Sequence, residues 1–81
     1  MFYVYVLLSE VDATTYIGFT GSLGKRINDH NQGKTKSTKH KIPLKLVYYE
    51  AYSSKSLARI REIQLKKNSS EKEKLFSRIF E

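Results

Sequence analysis

The chain has 81 residues, of which 15 are lysine or arginine and 8 are aspartate or glutamate, and its formal charge of +7 favours polyanionic partners, nucleic acid before anionic membrane. This length suits one domain, predicted to span residues 1–81, and the absence of cysteine excludes disulfides and thiolate metal sites and suits the cytoplasm. No apolar run approaches the roughly 20 residues that cross a bilayer, and residues 1–8 lack the basic and small-residue flanks of a signal peptide.

The chain begins with two segments that favour β-strands. Residues 2–8 (FYVYVLL) and residues 14–20 (TTYIGFT) are rich in aromatic and β-branched side chains, and the polar connection between them has the length of a hairpin turn. Because side chains alternate between the two faces of a strand, Tyr3 and Tyr5 share one face. Pairing the strands predicts that Tyr16 joins these tyrosines on one side of the sheet, with the aliphatic side chains on the other.

A short helix and a lysine-rich loop follow the second strand. Ser22 is a candidate N-cap for a helix over residues 23–31, which is predicted to end near Gly33. Residues 32–43 show no periodicity and are predicted to form an exposed loop. The basic side chains of this loop are Lys34, Lys36, Lys39 and Lys41, with His40 among them.

The second half of the chain begins with a predicted strand over residues 44–52 (LKLVYYEAY). Ser53 or Ser54 is expected to cap the longer helix that follows (KSLARIREIQLKK). Glu62 falls at the margin of the apolar stripe of this helix, where its carboxylate can reach a cleft while its stem packs. The predicted stripe consists of Leu57, Ala58, Ile60 and Leu65.

A last helix is predicted over residues 71–80, with Ser69 or Ser70 as its cap. No internal repeat, low-complexity tract or linker interrupts the chain. The side chains expected to dock this helix on the core are Leu75, Phe76, Ile79 and Phe80.

Five polar side chains form a candidate site for phosphodiester chemistry. Taken singly, each has an ordinary explanation: Tyr5 and Tyr16 as rim residues of a core, Arg26 and Glu62 as solvated charges, His30 as a helix-surface histidine. Together they are more informative, because hydrolysis of a phosphodiester needs a positioned water and stabilisation of charge on the phosphoryl oxygens. A guanidinium suits the phosphate, and a single carboxylate can anchor Mg²⁺ that takes its remaining ligands from water and substrate.

The spacing of these residues resembles that of the GIY-YIG nuclease superfamily. Residues 3–5 (Tyr-Val-Tyr) stand where the superfamily has Gly-Ile-Tyr, and residues 16–18 (Tyr-Ile-Gly) match the second half of the signature. Arg26 follows at the position of the family arginine, with His30 one helical turn on. The later segments PLKLVYYE and REIQLKK are similar to the small stand-alone bacterial members, the YhbQ-like proteins.

The resemblance implies a fold, an activity and a metal. The fold is a small α/β (α+β) domain with a three-stranded antiparallel sheet flanked by helices. The activity is cleavage of DNA phosphodiester bonds by an endonuclease that depends on Mg²⁺ or Mn²⁺, and Glu62 matches the single metal-binding glutamate of the family.

The resemblance also implies roles for the other site residues. Tyr16 matches the tyrosine that the family favours as general base, and Tyr5 matches the one that positions water or phosphate. Arg26 matches the arginine that stabilises the phosphate, and His30 is expected to assist proton transfer or phosphate contact. Gly18 allows a close approach of the backbone that a side chain would block.

Two departures and two alternatives accompany this prediction. Tyr3 replaces the first glycine of the signature, and Asn68 is only a loose match for a later family asparagine. The loop lysines are expected to hold the DNA backbone without reading sequence. One alternative is a nucleic-acid-binding module that does not cleave, and the other is an accessory subunit of a repair or recombination complex whose partner protein supplies specificity.

Overall fold

The computed structural model of the chain describes residues 1–80 and confirms the predicted α+β fold with a three-stranded antiparallel sheet. None of the helices in this range has the length and apolar character needed to cross a membrane. A 3₁₀ turn, Lys39–Lys41, lies in the loop before the third strand. The strands and helices in chain order are β1 (Phe2–Ser9), β2 (Thr15–Thr20), α1 (Leu23–Asn31), β3 (Leu44–Tyr52), α2 (Lys55–Lys67) and α3 (Ser69–Phe80).

The sheet has the strand order β2-β1-β3, so the first strand is central and the second lies at an edge. Both neighbours of β1 run antiparallel to it. In this register Tyr5 lies between Gly18 of β2 and Tyr49 of β3, and Leu7 pairs with Tyr16. Directly opposed residues share a face, so the prediction that Tyr5 and Tyr16 lie on one side of the sheet is confirmed.

Each face of the sheet carries its own apolar cluster. Helix α1 packs on the face of Tyr5, where Leu23 and Ile27 meet the tyrosines and the leucines of β1 and β3. Helices α2 and α3 cover the opposite face, where Val4, Val6 and Ile17 are buried. The helices thus form two layers on opposite faces of the sheet, and α2 reaches the edge strand β2, where Lys66 contacts the ring of Tyr16.

The helix boundaries agree closely with those predicted from the sequence, but two of the predicted caps differ. Ser54 caps α2 by accepting a hydrogen bond from the Leu57 amide, whereas Ser22 occupies the N-cap position of α1 without such a bond. The prediction that Ser69 or Ser70 caps the last helix is wrong. Asn68 fills that role, because its side-chain oxygen accepts from the Glu71 amide at 3.2 Å as soon as α2 ends.

Helix α2 is rotated relative to its predicted orientation. Ala58 and Leu65 are buried as predicted, but Leu57 and Ile60, also expected in the core, are 51% and 62% exposed, and Glu62 completes the buried arc. Two contacts explain the rotation. The small Ala58 lets the helix approach the sheet closely, and Arg61 on the neighbouring arc pairs with a carboxylate of β3.

The loop between α1 and β3 is more ordered than its composition predicts. Gly33, with a φ of +78°, ends α1, and its amide donates to the carbonyl of His30. Farther along, the amide of Thr38 donates to the carbonyl of Thr35, and the Thr38 side chain is buried. The expectation of a loop exposed throughout is therefore wrong at this position, where a threonine anchors the segment to the protein interior.

Candidate active site

The site begins with a close contact between β1 and β2. A Cβ atom placed on Gly18 would lie 2.5 Å from the hydroxyl oxygen of Tyr5 and 3.0 Å from the ring of Tyr16. Glycine is therefore required here because the Tyr5 ring lies across the strand at this point. The rings of Tyr5 and Tyr16 are tilted against each other with their centroids 6.3 Å apart.

A buried chain of hydrogen bonds holds the hydroxyl of Tyr5. This hydroxyl lies 2.9 Å from Nε2 of His30, and Nδ1 of the same imidazole lies 2.7 Å from Oγ1 of Thr38. His30 is fully buried, and Tyr5 and Thr38 are nearly so. His30 thus touches Tyr5 and Thr38, and any part it has in proton transfer runs through the Tyr5 hydroxyl.

The electrostatic environment keeps both Tyr5 and His30 neutral. Burial lowers the pKa of His30, and the nearby positive charge of Arg26 lowers it further. Burial also raises the pKa of Tyr5, with Arg26 acting against this effect and the charges of Tyr16 and Glu62 adding to it. A neutral imidazole carries one N–H and one acceptor nitrogen, so it can hold the Tyr5 and Thr38 hydroxyls at the same time.

Arg26 adds a permanent positive charge beside the two tyrosines. It is half-buried on α1, and its guanidinium lies next to the Tyr5 hydroxyl and near that of Tyr16. The interaction with Tyr5 raises the pKa of Arg26, so the guanidinium stays charged.

Glu62 is a nearly buried carboxylate held between two cations. It is 4% exposed on α2, and its two oxygens separately contact Arg59 and Lys66, the second at 2.9 Å. Both cationic side chains are about half exposed at the ends of flexible stems, 55% for Arg59 and 45% for Lys66. The negative charge is thus compensated by two partly exposed cationic side chains.

The structure brings four of the five predicted residues into one cluster and sets the fifth beside it. Tyr5, Tyr16, Arg26 and His30 contact one another on the α1 side of the sheet. Glu62 comes from the other helical layer, and Lys66 stands between it and the cluster, with its ammonium 5.8 Å from the centre of the Tyr16 ring. The negative charge of Glu62 nevertheless contributes to raising the pKa of Tyr5.

The donor groups limit which metal sites are available. Within residues 1–80 no three side chains of the types His, Cys, Asp or Glu lie close enough together to enclose a metal ion. Glu62 is therefore a single anchoring ligand, which suits an ion that keeps several waters and takes other ligands from a substrate phosphate.

The four lysines of the loop differ in their surroundings. Lys41 pairs with Asp12 at the tip of the β1–β2 hairpin, and Lys34 lies 3.8 Å from Asp29 on α1. Lys36 and Lys39 have no carboxylate partner among the residues that the structure describes, and both are exposed. The expected basic surface is thus divided into two paired and two unpaired lysines.

Sequence reasoning missed Thr38, whose only signal was a small hydroxyl residue inside a run of lysines. It also could not place Asn68, which lies at the exposed junction of α2 and α3 and caps α3.

An apolar cavity of about 620 Å³ lies elsewhere, between the hairpin turn and the end of α3, with Phe76 and Phe80 in its wall. None of the five candidate side chains lines it.

Comparison with known proteins finds a matching family and similar relatives. The family model of the GIY-YIG catalytic domain matches residues 1–75. UPF0213 proteins of Streptococcus pyogenes are similar to the chain: those of serotypes M3 and M5 are 43% and 42% identical over 74 residues, which cover 90% of this chain and 79% of theirs. The solution structure of the UPF0213 protein BH0048 from Bacillus halodurans is similar with a TM-score of 0.59 and 36% identity, over 95% of this chain and 84% of that one.

Proposed function

This chain belongs to the GIY-YIG catalytic domain family, and on that premise we propose that it is an endonuclease that hydrolyses DNA phosphodiester bonds with the help of Mg²⁺ or Mn²⁺. The GIY-YIG fold is a nuclease fold, so activity of the nuclease type follows from membership. The observation that carries the finer proposal is the cluster of Tyr5, Tyr16, Arg26 and His30 beside the carboxylate of Glu62. Family membership and the polar cluster favour the same chemistry. We also propose that the protein acts as the single domain expected from its length and works on cytoplasmic DNA, in repair or recombination.

The roles follow from accessibility and charge. Arg26 receives the phosphate, because a guanidinium forms two parallel hydrogen bonds to phosphoryl oxygens and its charge is permanent here. The Tyr5 hydroxyl is buried and hydrogen-bonded to His30, so we assign it the role of positioning the neighbouring side chains. The half-buried Tyr16 is the group we assign, in its phenolate form, to accept the proton of the attacking water. His30 is a positioning residue, since it acts through Tyr5.

Glu62 is the residue that would hold the divalent ion. Its two present partners, Arg59 and Lys66, are partly exposed monovalent charges that a divalent ion could displace. A bound Mg²⁺ or Mn²⁺ supplies charge stabilisation for the phosphoryl and leaving oxygens. In the absence of the ion, Arg59 and Lys66 neutralise the carboxylate and allow a phosphate to approach.

That last property also supports a second candidate function. Because Glu62 is already neutralised, the protein can bind nucleic acid without a metal and without cleaving it. The fold and the charge of +7 would serve such a binding module equally well. The two functions differ in what happens when the Glu62 charge is removed.

The test measures cleavage and binding on the same preparation of Glu62→Gln. Nicking of supercoiled and branched DNA with Mg²⁺ or Mn²⁺ is expected to fall by about 100-fold or more, since metal stabilisation amounts to several kcal/mol. Metal-free binding of the same DNA should hold or tighten, because one negative charge leaves the phosphate site.

The matched control is Glu73→Gln, an exposed glutamate of α3 without an ion pair among the described residues. It should cleave like the parent protein. Full cleavage by Glu62→Gln removes this residue from the mechanism. If the parent protein binds DNA but fails to cleave it with every divalent metal tried, the protein is the binding module.

A further inference from the structure

Helix α1 leaves one corner of the sheet face that carries Tyr5 uncovered. The helix starts just after Thr20, which pairs with Tyr3 at one end of the sheet. It finishes at Asn31, whose side chain bonds the main chain of Leu44 at the other end of the sheet, on β3. The helix therefore crosses the face diagonally and leaves open the corner formed by β1 and β3 beyond Tyr5.

Two tyrosines occupy this open corner. Tyr3 and Tyr49 contact each other edge to face with their ring centroids 5.9 Å apart, and Tyr49 is 52% exposed. Tyr49 lies directly opposite Tyr5 in the register, and Tyr3 lies two residues before Tyr5 on the same face. Ala51, opposite Tyr3, adds no bulk and is also exposed. The exposed aromatic surface thus lies one strand away from the buried ring of Tyr5.

From this placement we infer that Tyr3 and Tyr49 form a stacking surface for an unpaired base of a bound DNA strand. Aromatic side chains on an open sheet surface are a common platform for single-stranded nucleic acid, because every base has a π-face. In a duplex both faces of a base are covered by its neighbours, so only an unpaired or flipped base can reach the rings. The charge of +7 favours a polyanion over an apolar protein partner.

The inference rests on the proposed function only in taking DNA as the ligand. It adds a substrate class: DNA with a single-stranded or frayed segment. It also gives a use to Tyr3, which stands where the family signature has glycine. Glycine at that position would leave Tyr49 without its aromatic neighbour.

The experiment measures binding without divalent metal, so that cleavage plays no part. Fluorescein-labelled oligothymidylate and a fully paired hairpin of the same length are titrated with the parent protein and its variants at one salt concentration. Tyr49→Ala is expected to weaken binding of the single strand by about 5- to 150-fold, the usual effect of losing one stacked base, with the hairpin nearly unaffected. Tyr3→Ala should act in the same direction, and Tyr49→Phe should bind like the parent because it keeps the ring.

Two controls make the result specific. Leu57→Ala removes an equally exposed apolar side chain on α2, away from the corner, and should change neither ligand. A strand with abasic positions should bind the parent weakly. It should bind Tyr49→Ala with the same affinity, because this strand has no base that could stack on Tyr49. Circular dichroism of each variant verifies the fold.

Equal weakening of the single strand and the hairpin by Tyr49→Ala, or no weakening, overturns the inference. So does a parent dimer that becomes monomeric in Tyr49→Ala by sedimentation, because the corner would then be a contact between copies of the chain. The proposed nuclease activity is judged separately. If the parent binds single strands through Tyr49 but does not cleave DNA with any divalent metal, the stacking surface stands and the proposed catalytic function is wrong.

Discussion

Tyr5 shows how much structure surrounds one phenolic hydroxyl. Its ring passes over Gly18, its oxygen lies 2.9 Å from His30, and the guanidinium of Arg26 approaches from α1. His30 in turn is held by Thr38, so four segments of the chain fix one oxygen atom. Buried hydrogen bonds of this kind are costly to break, since an unpaired buried polar group costs about 1–3 kcal/mol. The hydroxyl is therefore positioned before any substrate arrives.

Substitution of Thr38 tests this positioning at the scale of single residues. Thr38→Val keeps the shape but removes the hydroxyl that contacts Nδ1 of His30, and it should lower the free energy of unfolding by about 1–3 kcal/mol. The released imidazole no longer fixes Tyr5, so we expect cleavage to fall by roughly tenfold, which corresponds to about 1.4 kcal/mol of lost stabilisation. DNA binding should stay unchanged, because Thr38 is buried.

Two further variants separate this role from general damage to the loop. Thr38→Ser retains the hydroxyl and should restore most of the activity. Thr35→Val removes a nearby buried hydroxyl that has no hydrogen-bond partner among the described residues. It should leave activity unchanged and stability equal or slightly higher. A Thr35→Val protein as damaged as Thr38→Val would contradict the relay through His30.

At the scale of elements, a polar cluster fixes α2 against β3. The carboxylate of Glu50 accepts hydrogen bonds from Tyr48 at 2.6 Å, from Tyr52, and from two nitrogens of Arg61. Burial, helped by the bond to Glu50, raises the pKa of Tyr48 to about 12, so its hydroxyl remains a donor at neutral pH. This cluster sets the rotation of α2 that exposes Leu57 and buries Glu62.

The cluster predicts a specific dependence of stability on pH. Burial alone would raise the pKa of Glu50, but the bonds from Arg61 and the tyrosines outweigh it and bring the pKa below the ordinary 4.5. A carboxyl group with a lowered pKa stabilises the fold above its ordinary value, and the contribution is lost as the pH falls through the folded value. Glu50→Gln should therefore cost about 1–3 kcal/mol at pH 7, with a difference from the parent that shrinks below pH 4.5.

Thermal unfolding of both proteins across this pH range measures the effect. A cost of 1 kcal/mol lowers the midpoint of a domain this small by about 4–8 °C. Glu10→Gln, at an exposed turn position, is the control and should match the parent at every pH. A constant difference between Glu50→Gln and the parent from pH 7 to pH 3 would mean that the charge of Glu50 has no part in the stabilisation.

The loop between α1 and β3 carries a second prediction at this scale. Lys36 and Lys39 are exposed and unpaired within the described residues, whereas Lys34 and Lys41 are already near carboxylates. Changing Lys36 and Lys39 to Gln should reduce the slope of log K against log salt for duplex DNA by roughly 0.9 per lost phosphate contact. The pair Lys34 and Lys41, changed in the same way, should have the smaller effect. Equal slopes for the two double variants would show that the ion pairs do not decide which lysines bind.

These elements also show what the sequence could and could not predict. Strand alternation and turn residues fix β1, β2 and the shared face of Tyr5 and Tyr16, because they depend on local geometry. The rotation of α2 depends on the contact between Arg61 and Glu50, which are in different elements, so periodicity favoured Leu57 and Ile60 wrongly. The burial of Thr38 depends on where His30 lies in the fold, which no local pattern encodes.

At the scale of the whole molecule, the candidate site is assembled from both sides of one sheet. Arg26 comes from α1 on one face, and Glu62 from α2 on the other, with the edge strand β2 between them. Two cations of α2 contact aromatic rings of this strand: Arg59 lies 5.7 Å from the Phe19 ring centre and Lys66 lies 5.8 Å from that of Tyr16. A phosphate at Arg26 and a metal ion at Glu62 would therefore meet around β2, displacing these cations from the carboxylate.

This geometry predicts that metal and DNA bind cooperatively. A single carboxylate holds a divalent ion weakly, and a phosphate at Arg26 would supply the missing ligands, so each ligand should strengthen the other by the same factor. The measurement uses Tyr16→Phe, in which we expect cleavage to be blocked, and compares DNA affinity in Mg²⁺ and in K⁺ at equal ionic strength. Mg²⁺ should tighten binding by about 5- to 150-fold, the usual range of such coupling.

The comparison protein is Tyr16→Phe with Glu62→Gln. Here Mg²⁺ has no anchoring carboxylate and only competes with lysine and arginine for the DNA phosphates, so it should weaken binding relative to K⁺. The sign of the Mg²⁺ effect thus reverses with one change from carboxylate to amide on α2, while the basic surface of the loop stays the same. An identical response of the two proteins to Mg²⁺ would mean that Glu62 serves only its ion pairs with Arg59 and Lys66, and that the two layers of the fold do not share a metal at the edge of β2.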